Sequence, residues 1–153
     1  MEDINQEDMK EMKQEEIEMR AGKAKDLFKQ GFNCAQSVVA SCCDLYGVSE
    51  DEALRMSAGF GGGMGRMRLT CGAACGMFML AGLENGSTTA HDQQGKMRNY
   101  ELVRTLASRY QETFGSITCS ELLGLTPSPV EVKHLPCAEM VAEAVRIFLR
   151  EVQ

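Results

Sequence analysis

An all-α fold is predicted by two features of this 153-residue chain. Apolar residues recur at helical spacing along almost every segment, and the chain has few aromatics, eleven Met and no Trp, a composition suited to an adaptable helical interior. At 44% hydrophobic and 25% charged residues, the composition is that of an ordinary globular protein. The length suits one domain able to bury a core without disulfide or metal staples. The expectation is a single-domain helical bundle of about five to seven helices.

The first 30 residues carry Met9, Met12, Ile17, Met19, Ala24, Leu27 and Phe28 at loose helical spacing among charges. Residues 1–20 hold eight acids against Lys10, Lys13 and Arg20, a net of −5 out of −6 for the chain. They read as an acidic, partly frayed N-terminal helical extension, with fraying before about residue 15. Residues 21–153 are left as a helical, cysteine-rich domain near neutrality. Asn33 is suited to cap a helix from Cys34 to Tyr46, with Gln36 in the capping-box position and Gly47 as its stop. Ser49 and Glu52 make a second capping box, starting a short helix that ends at a glycine-dense turn, Gly59-Phe60-Gly61-Gly62-Gly63-Met64-Gly65. Such a run requires positive φ or a close backbone approach. Thr70 is expected to cap a central helix from Cys71 to about Leu83. A long helix follows from about Lys96 to Phe114, with the stripe Tyr100, Val103, Ala107, Tyr110 and Phe114. Thr118 opens a short helix that stops at Gly124. Pro136 starts the last helix, with Val141, Ala144, Val145, Phe148 and Leu149 on its apolar face.

Seven cysteines are present, and four of them share one setting: Asn33-Cys34-Ala35-Gln36, Thr70-Cys71-Gly72-Ala73, Thr118-Cys119-Ser120-Glu121 and Pro136-Cys137-Ala138-Glu139. Each lies in the first turn of an expected helix. Unpaired backbone N–H groups and the helix dipole favour negative charge there, so these thiols are expected to have lowered pKa values and thiolate character. Cys34, Cys119 and Cys137 precede apolar residues by about one turn, which directs them inward. If successive helices alternate up and down, four thiols meet at one end of the bundle.

Cys71-Gly72-Ala73-Ala74-Cys75-Gly76, taken with Gly31-Phe32-Asn33-Cys34-Ala35-Gln36-Ser37-Val38, the glycine turn, Cys119 and Cys137, resembles the C_GCAxxG_C_C family of small redox-active cysteine proteins. The likeness covers roughly residues 23–150. It implies a helical domain with a thiol redox role, and a functional link to a membrane transporter, since family members often lie near transporter genes. Cys42, Cys43 and Cys75 are additions to the four-cysteine pattern. Cys75 is read chiefly as a core residue and secondarily as a resolving thiol or extra metal ligand. Cys42 is assigned to the core and Cys43 to an incidental thiol.

Three functions follow for Cys34, Cys71, Cys119 and Cys137. The favoured one is dithiol/disulfide exchange or electron transfer with an unidentified redox partner, which would make the chain a thiol-disulfide oxidoreductase. The second is a four-cysteine metal site for zinc or an iron–sulfur cluster, against which stands the lack of any Cys-x-x-Cys spacing. The third is a helical interaction module with structural thiols. Homodimerisation through the glycine-rich surface is a further expectation.

Other chemistries find little support. Nucleic-acid binding wants clustered Lys and Arg, which are lacking. The glycine turn does not satisfy G-x-G-x-x-G and is followed by no Lys-Ser or Lys-Thr, so nucleotide binding is not expected. Arg66 and Arg68 are read as solvated rather than as partners of a thiolate or an anionic substrate. Met64, Met67, Met77 and Met79 are read as core filling rather than copper(I) ligands, and His91 and His134 as loop residues outside any triad. The acidic N-terminus does not resemble a secretory signal and no stretch is apolar enough for membrane insertion, so a cytoplasmic location is expected.

Overall fold

The computed structural model describes residues 6–153. Seven α-helices lie among them: α1 (Gln6–Lys29), α2 (Cys34–Cys42), α3 (Glu50–Ser57), α4 (Gly72–Asn85), α5 (Gln93–Phe114), α6 (Cys119–Leu122) and α7 (Cys137–Val152). The all-α expectation holds. The described residues contain no regular strand, and their one β-type contact is an isolated antiparallel bridge between Thr70 and Thr118.

The helices pack because each offers one apolar stripe. On α1 the buried positions are Ile17, Arg20, Ala21, Ala24 and Leu27, recurring three and four apart, and this face lies chiefly on α7. Val141, Ala144, Val145, Phe148 and Leu149 of α7 are fully buried. Arg20 is only 7% exposed, yet its guanidinium is matched. It donates to both carboxylate oxygens of Asp44 at 2.6 and 3.1 Å, to Glu16 at 3.1 Å and to the Ser41 carbonyl at 3.0 Å. These bonds tie α1 to the end of α2. Lys25 donates to Glu139 at 2.6 Å, tying α1 to α7.

The second tight pair is α2 against α4, where small residues let the backbones approach. A Cβ at Gly76 would come within 2.8 Å of the Val38 Cβ, so α4 carries no side chain there. The α2 start is as expected: Asn33 accepts from the Gln36 N–H at 2.9 Å, and the Gln36 side chain accepts from the Asn33 N–H at 3.0 Å. After Cys42 the helix tightens into a 3-10 turn, Cys43–Tyr46, closed by Gly47 with φ 69°. Ser49 caps α3 and Gly115 ends α5, both as the sequence indicates.

Several expectations need correction. α1 is helical from Gln6 onward, ahead of residue 15 where fraying was expected, while residues 1–5 lie outside the described residues. Thr70 does not cap α4: the N-cap is Cys71, and Thr70 faces Thr118 across the bridge. α5 begins three residues early, because the Asp92 side chain accepts from the Gly95 N–H at 2.9 Å. Its stripe is also rotated, with Tyr100 49% exposed and Leu106 fully buried. Cys43 is core, 2% exposed, rather than an incidental thiol, since the 3-10 turn swings it inward. Cys42 is core as expected. The four methionines divide: Met77 is fully buried, whereas Met67 is 65% exposed and fills no core.

Candidate functional site

The cysteine site begins with the glycine turn. Gly62, Gly63, Met64, Gly65 and Arg66 hold five successive φ values between 61° and 73°, a turn of left-handed backbone, and Arg68 follows at 62°. Bonds from the Met64 N–H to the Phe60 carbonyl (3.2 Å) and from the Gly65 N–H to the Gly59 carbonyl (2.8 Å) close it. Three of these residues are not glycine, and left-handed backbone costs each about 1–2 kcal/mol. Both reasons for the glycines are met. At Gly63, φ is 73° and a Cβ would come within 2.6 Å of the Cys119 Cβ. At Gly72 a Cβ would strike the Cys34 Sγ and lie 2.8 Å from the Phe60 carbonyl.

The turn delivers the chain to the bridge, which joins two cysteines from distant segments. The Cys71 N–H donates to the Ile117 carbonyl and the Cys119 N–H to the Leu69 carbonyl, both at 2.6 Å, and the Ser120 N–H reaches the Arg68 carbonyl at 3.2 Å. The starts of α4 and α6 are thereby fastened side by side. Ser116 supports this segment, donating to Glu121 at 3.0 Å and accepting from the Thr118 N–H at 2.9 Å. Glu121 and Glu139 therefore hold other segments instead of closing capping boxes at their own helix starts.

Cys34, Cys71, Cys119 and Cys137 line one pocket of about 520 Å³, together with the glycine turn, Arg66 and Arg68. The convergence expected from helix direction is found, but Cys137 is exposed rather than directed inward. Exposure is graded: Cys137 is exposed, Cys34 half-buried, and Cys71 and Cys119 are each 8% exposed. Cys75 does not belong to the lining. It is 7% exposed, and its thiol reaches towards the Thr70 carbonyl at 3.8 Å.

The electrostatics differ from the sequence expectation. Burial pushes the Cys71 thiol up to about 11, and Cys34 adds to the rise; the Tyr110 hydroxyl and the Ala73 and Ala74 N–H groups oppose it without prevailing. Burial also raises Cys137, helped by Cys34 and Cys119, while Arg68 lowers it. The helix-start N–H groups do favour the Cys71 thiolate. Loss of water outweighs them at Cys71, and desolvation works against the Cys137 thiolate as well.

Two partners escaped the sequence reading. Tyr110, fully buried on α5, places its hydroxyl 3.1 Å from the Cys71 Sγ, and burial and the nearby thiols raise its own pKa. Only its membership of the α5 stripe hinted at an inward direction. Arg68, read as solvated, is half-buried and donates towards the Cys119 Sγ at 3.7 Å. His134 approaches the Leu122 carbonyl at 3.0 Å, away from the thiols.

Among the described residues no three Cys, His, Asp or Glu side chains are gathered closely enough to hold a metal ion. The thiols surround a pocket rather than a point. No helix among the described residues is long and apolar enough to cross a membrane. The family model described as "Putative redox-active protein (C_GCAxxG_C_C)" matches residues 32–150. Comparison with curated proteins and with solved structures finds no match.

Proposed function

The chain belongs to the C_GCAxxG_C_C redox-active family, and from that premise we propose that its pocket thiols cycle between dithiol and disulfide. The observation that carries this reading is the convergence of Cys34, Cys71, Cys119 and Cys137, from four separate elements, on one pocket. Cys137 is the thiol an external partner reaches first, because it alone of the four is exposed. Its thiolate attacks a partner disulfide, and the half-buried Cys34 resolves the mixed disulfide. Two protein thiols are oxidised to one disulfide, and the partner gains two electrons and two protons. Cys71 and Cys119 line the deeper part of the same pocket.

The raised pKa of Cys71 and Cys137 favours a reducing rather than a strongly oxidising couple, since a strong oxidant owes its potential to a stabilised thiolate. Zinc or iron–sulfur binding is the competing use of the same four thiols. It has less support, because ligation wants the sulfurs at one point. Anaerobic thiol counting before and after reduction, with metal analysis on the same sample, separates the two. A gain of about two or four thiols on reduction of metal-free protein is expected. Stoichiometric zinc or iron, or a thiolate charge-transfer band, would overturn the exchange reading.

A further inference from the structure

We propose that the disulfide accepted by this pocket is a small anionic one, carrying carboxylates that Arg66 and Arg68 hold. This rests on the exchange reading above and names its substrate class.

Among the described residues the charged side chains lining the pocket are Arg66 and Arg68, and neither Asp nor Glu lines it. The local sign is therefore opposite to that of the whole chain, which carries a net −6. Neither arginine side chain enters an ion pair among the described residues. Among the described residues the ion pairs employ Arg20, Lys25, Arg109, Arg146 and Arg150 as cations, and the one side-chain bond of Arg68 is to the Cys119 sulfur. Arg66 is exposed at the pocket and free to turn onto a ligand. Both arginines stand on positive-φ backbone, at 61° and 62°, where glycine would be unstrained. The planar fork of a guanidinium matches a carboxylate. A volume of about 520 Å³ suits a small molecule.

The reaction balances on this chain and the substrate alone. The Cys137 thiol loses its proton, and its sulfur bonds to one sulfur of R–S–S–R as the S–S bond breaks. The departing R–S⁻ takes up the proton. Cys34 then attacks the Cys137 sulfur, forming the internal disulfide and releasing the second R–SH. The protein loses two electrons and two protons, and the substrate gains them.

The test follows loss of protein thiols with three probes of similar length: anionic dithiodiglycolate, neutral bis(2-hydroxyethyl) disulfide and cationic cystamine. Each rate is divided by that of the same probe with dithiothreitol, which removes intrinsic reactivity. The normalised rate is expected to favour dithiodiglycolate over cystamine by about tenfold at low salt and to converge in high salt. Arg66→Gln and Arg68→Gln should each reduce that preference by about three- to tenfold. Arg66→Lys should retain most of it. Equal normalised rates, or a preference indifferent to both arginines, would overturn the inference while leaving thiol exchange in place. No reaction with any probe would remove the exchange reading and this inference together.

Discussion

The contact between Cys71 and Tyr110 shows how one residue's surroundings set its chemistry. The tyrosine hydroxyl lies 3.1 Å from a thiol that is only 8% exposed, and it favours the thiolate against burial. It positions and polarises Cys71 without meeting a substrate. Tyr110→Phe removes that donor, so the Cys71 pKa, already about 11, should rise further. Alkylation of Cys71 by iodoacetamide, followed by mass spectrometry across pH, should slow by about two- to tenfold at mildly alkaline pH. Stability should fall by about 1 kcal/mol. A stability loss with an unchanged pH profile would show the hydroxyl to be only structural. The same balance explains why a helix-start position alone did not make Cys71 a thiolate. Two backbone N–H groups and a hydroxyl compete with nearly complete loss of hydration, and hydration is the larger quantity.

At the scale of the element, helix starts are what bring the four thiols together, and each start is held differently. α2 has a full capping box, α4 and α6 are clamped by the Thr70–Thr118 bridge, and α7 opens after Pro136. Asn33 does more than cap. Its amide also donates to the Ala58 carbonyl at 2.9 Å, holding the α2 start against the segment that enters the glycine turn. Asn33→Ala should cost about 1–2 kcal/mol in urea unfolding. Asn33→Asp keeps the cap but leaves the Ala58 carbonyl without its donor, and should fall between. An alanine variant as stable as the native chain would mean that the α2 start is held by helix packing instead.

For the whole molecule, burial of thiols makes stability depend on alkaline pH. Cys42, Cys71 and Cys75 are all raised to about 11 by burial, well above the unfolded range near 8.5. Between about pH 9 and 11 the unfolded chain has released these protons while the folded chain still holds them. The folded state then binds more protons, so stability falls as pH rises through that window. Tyr110, raised by burial, extends the effect upward. The urea midpoint should therefore decrease from pH 8 to pH 10, and Cys42→Ala should make the decrease shallower. A midpoint that stays level would contradict the burial of these thiols.

The helical class, the Asn33 and Ser49 caps, the stop at Gly47 and the convergence of Cys34, Cys71, Cys119 and Cys137 on one pocket were legible in the sequence, whereas the exposure of Cys137 was not. They depend on neighbours within a few residues, which periodicity and capping rules describe. The location of Thr70, the burial of Cys43, the rotation of the α5 stripe and the roles of Tyr110 and Arg68 were not. Three of these depend on a partner distant along the chain: Thr118 for Thr70, Cys71 for Tyr110, Cys119 for Arg68. The thiol pKa values belong to the same group, because hydration is lost only when several helices close over one place. The sequence determined which thiols converge; tertiary packing decided that burial works against the thiolate at Cys71 and Cys137, since desolvation is a property of the assembled bundle.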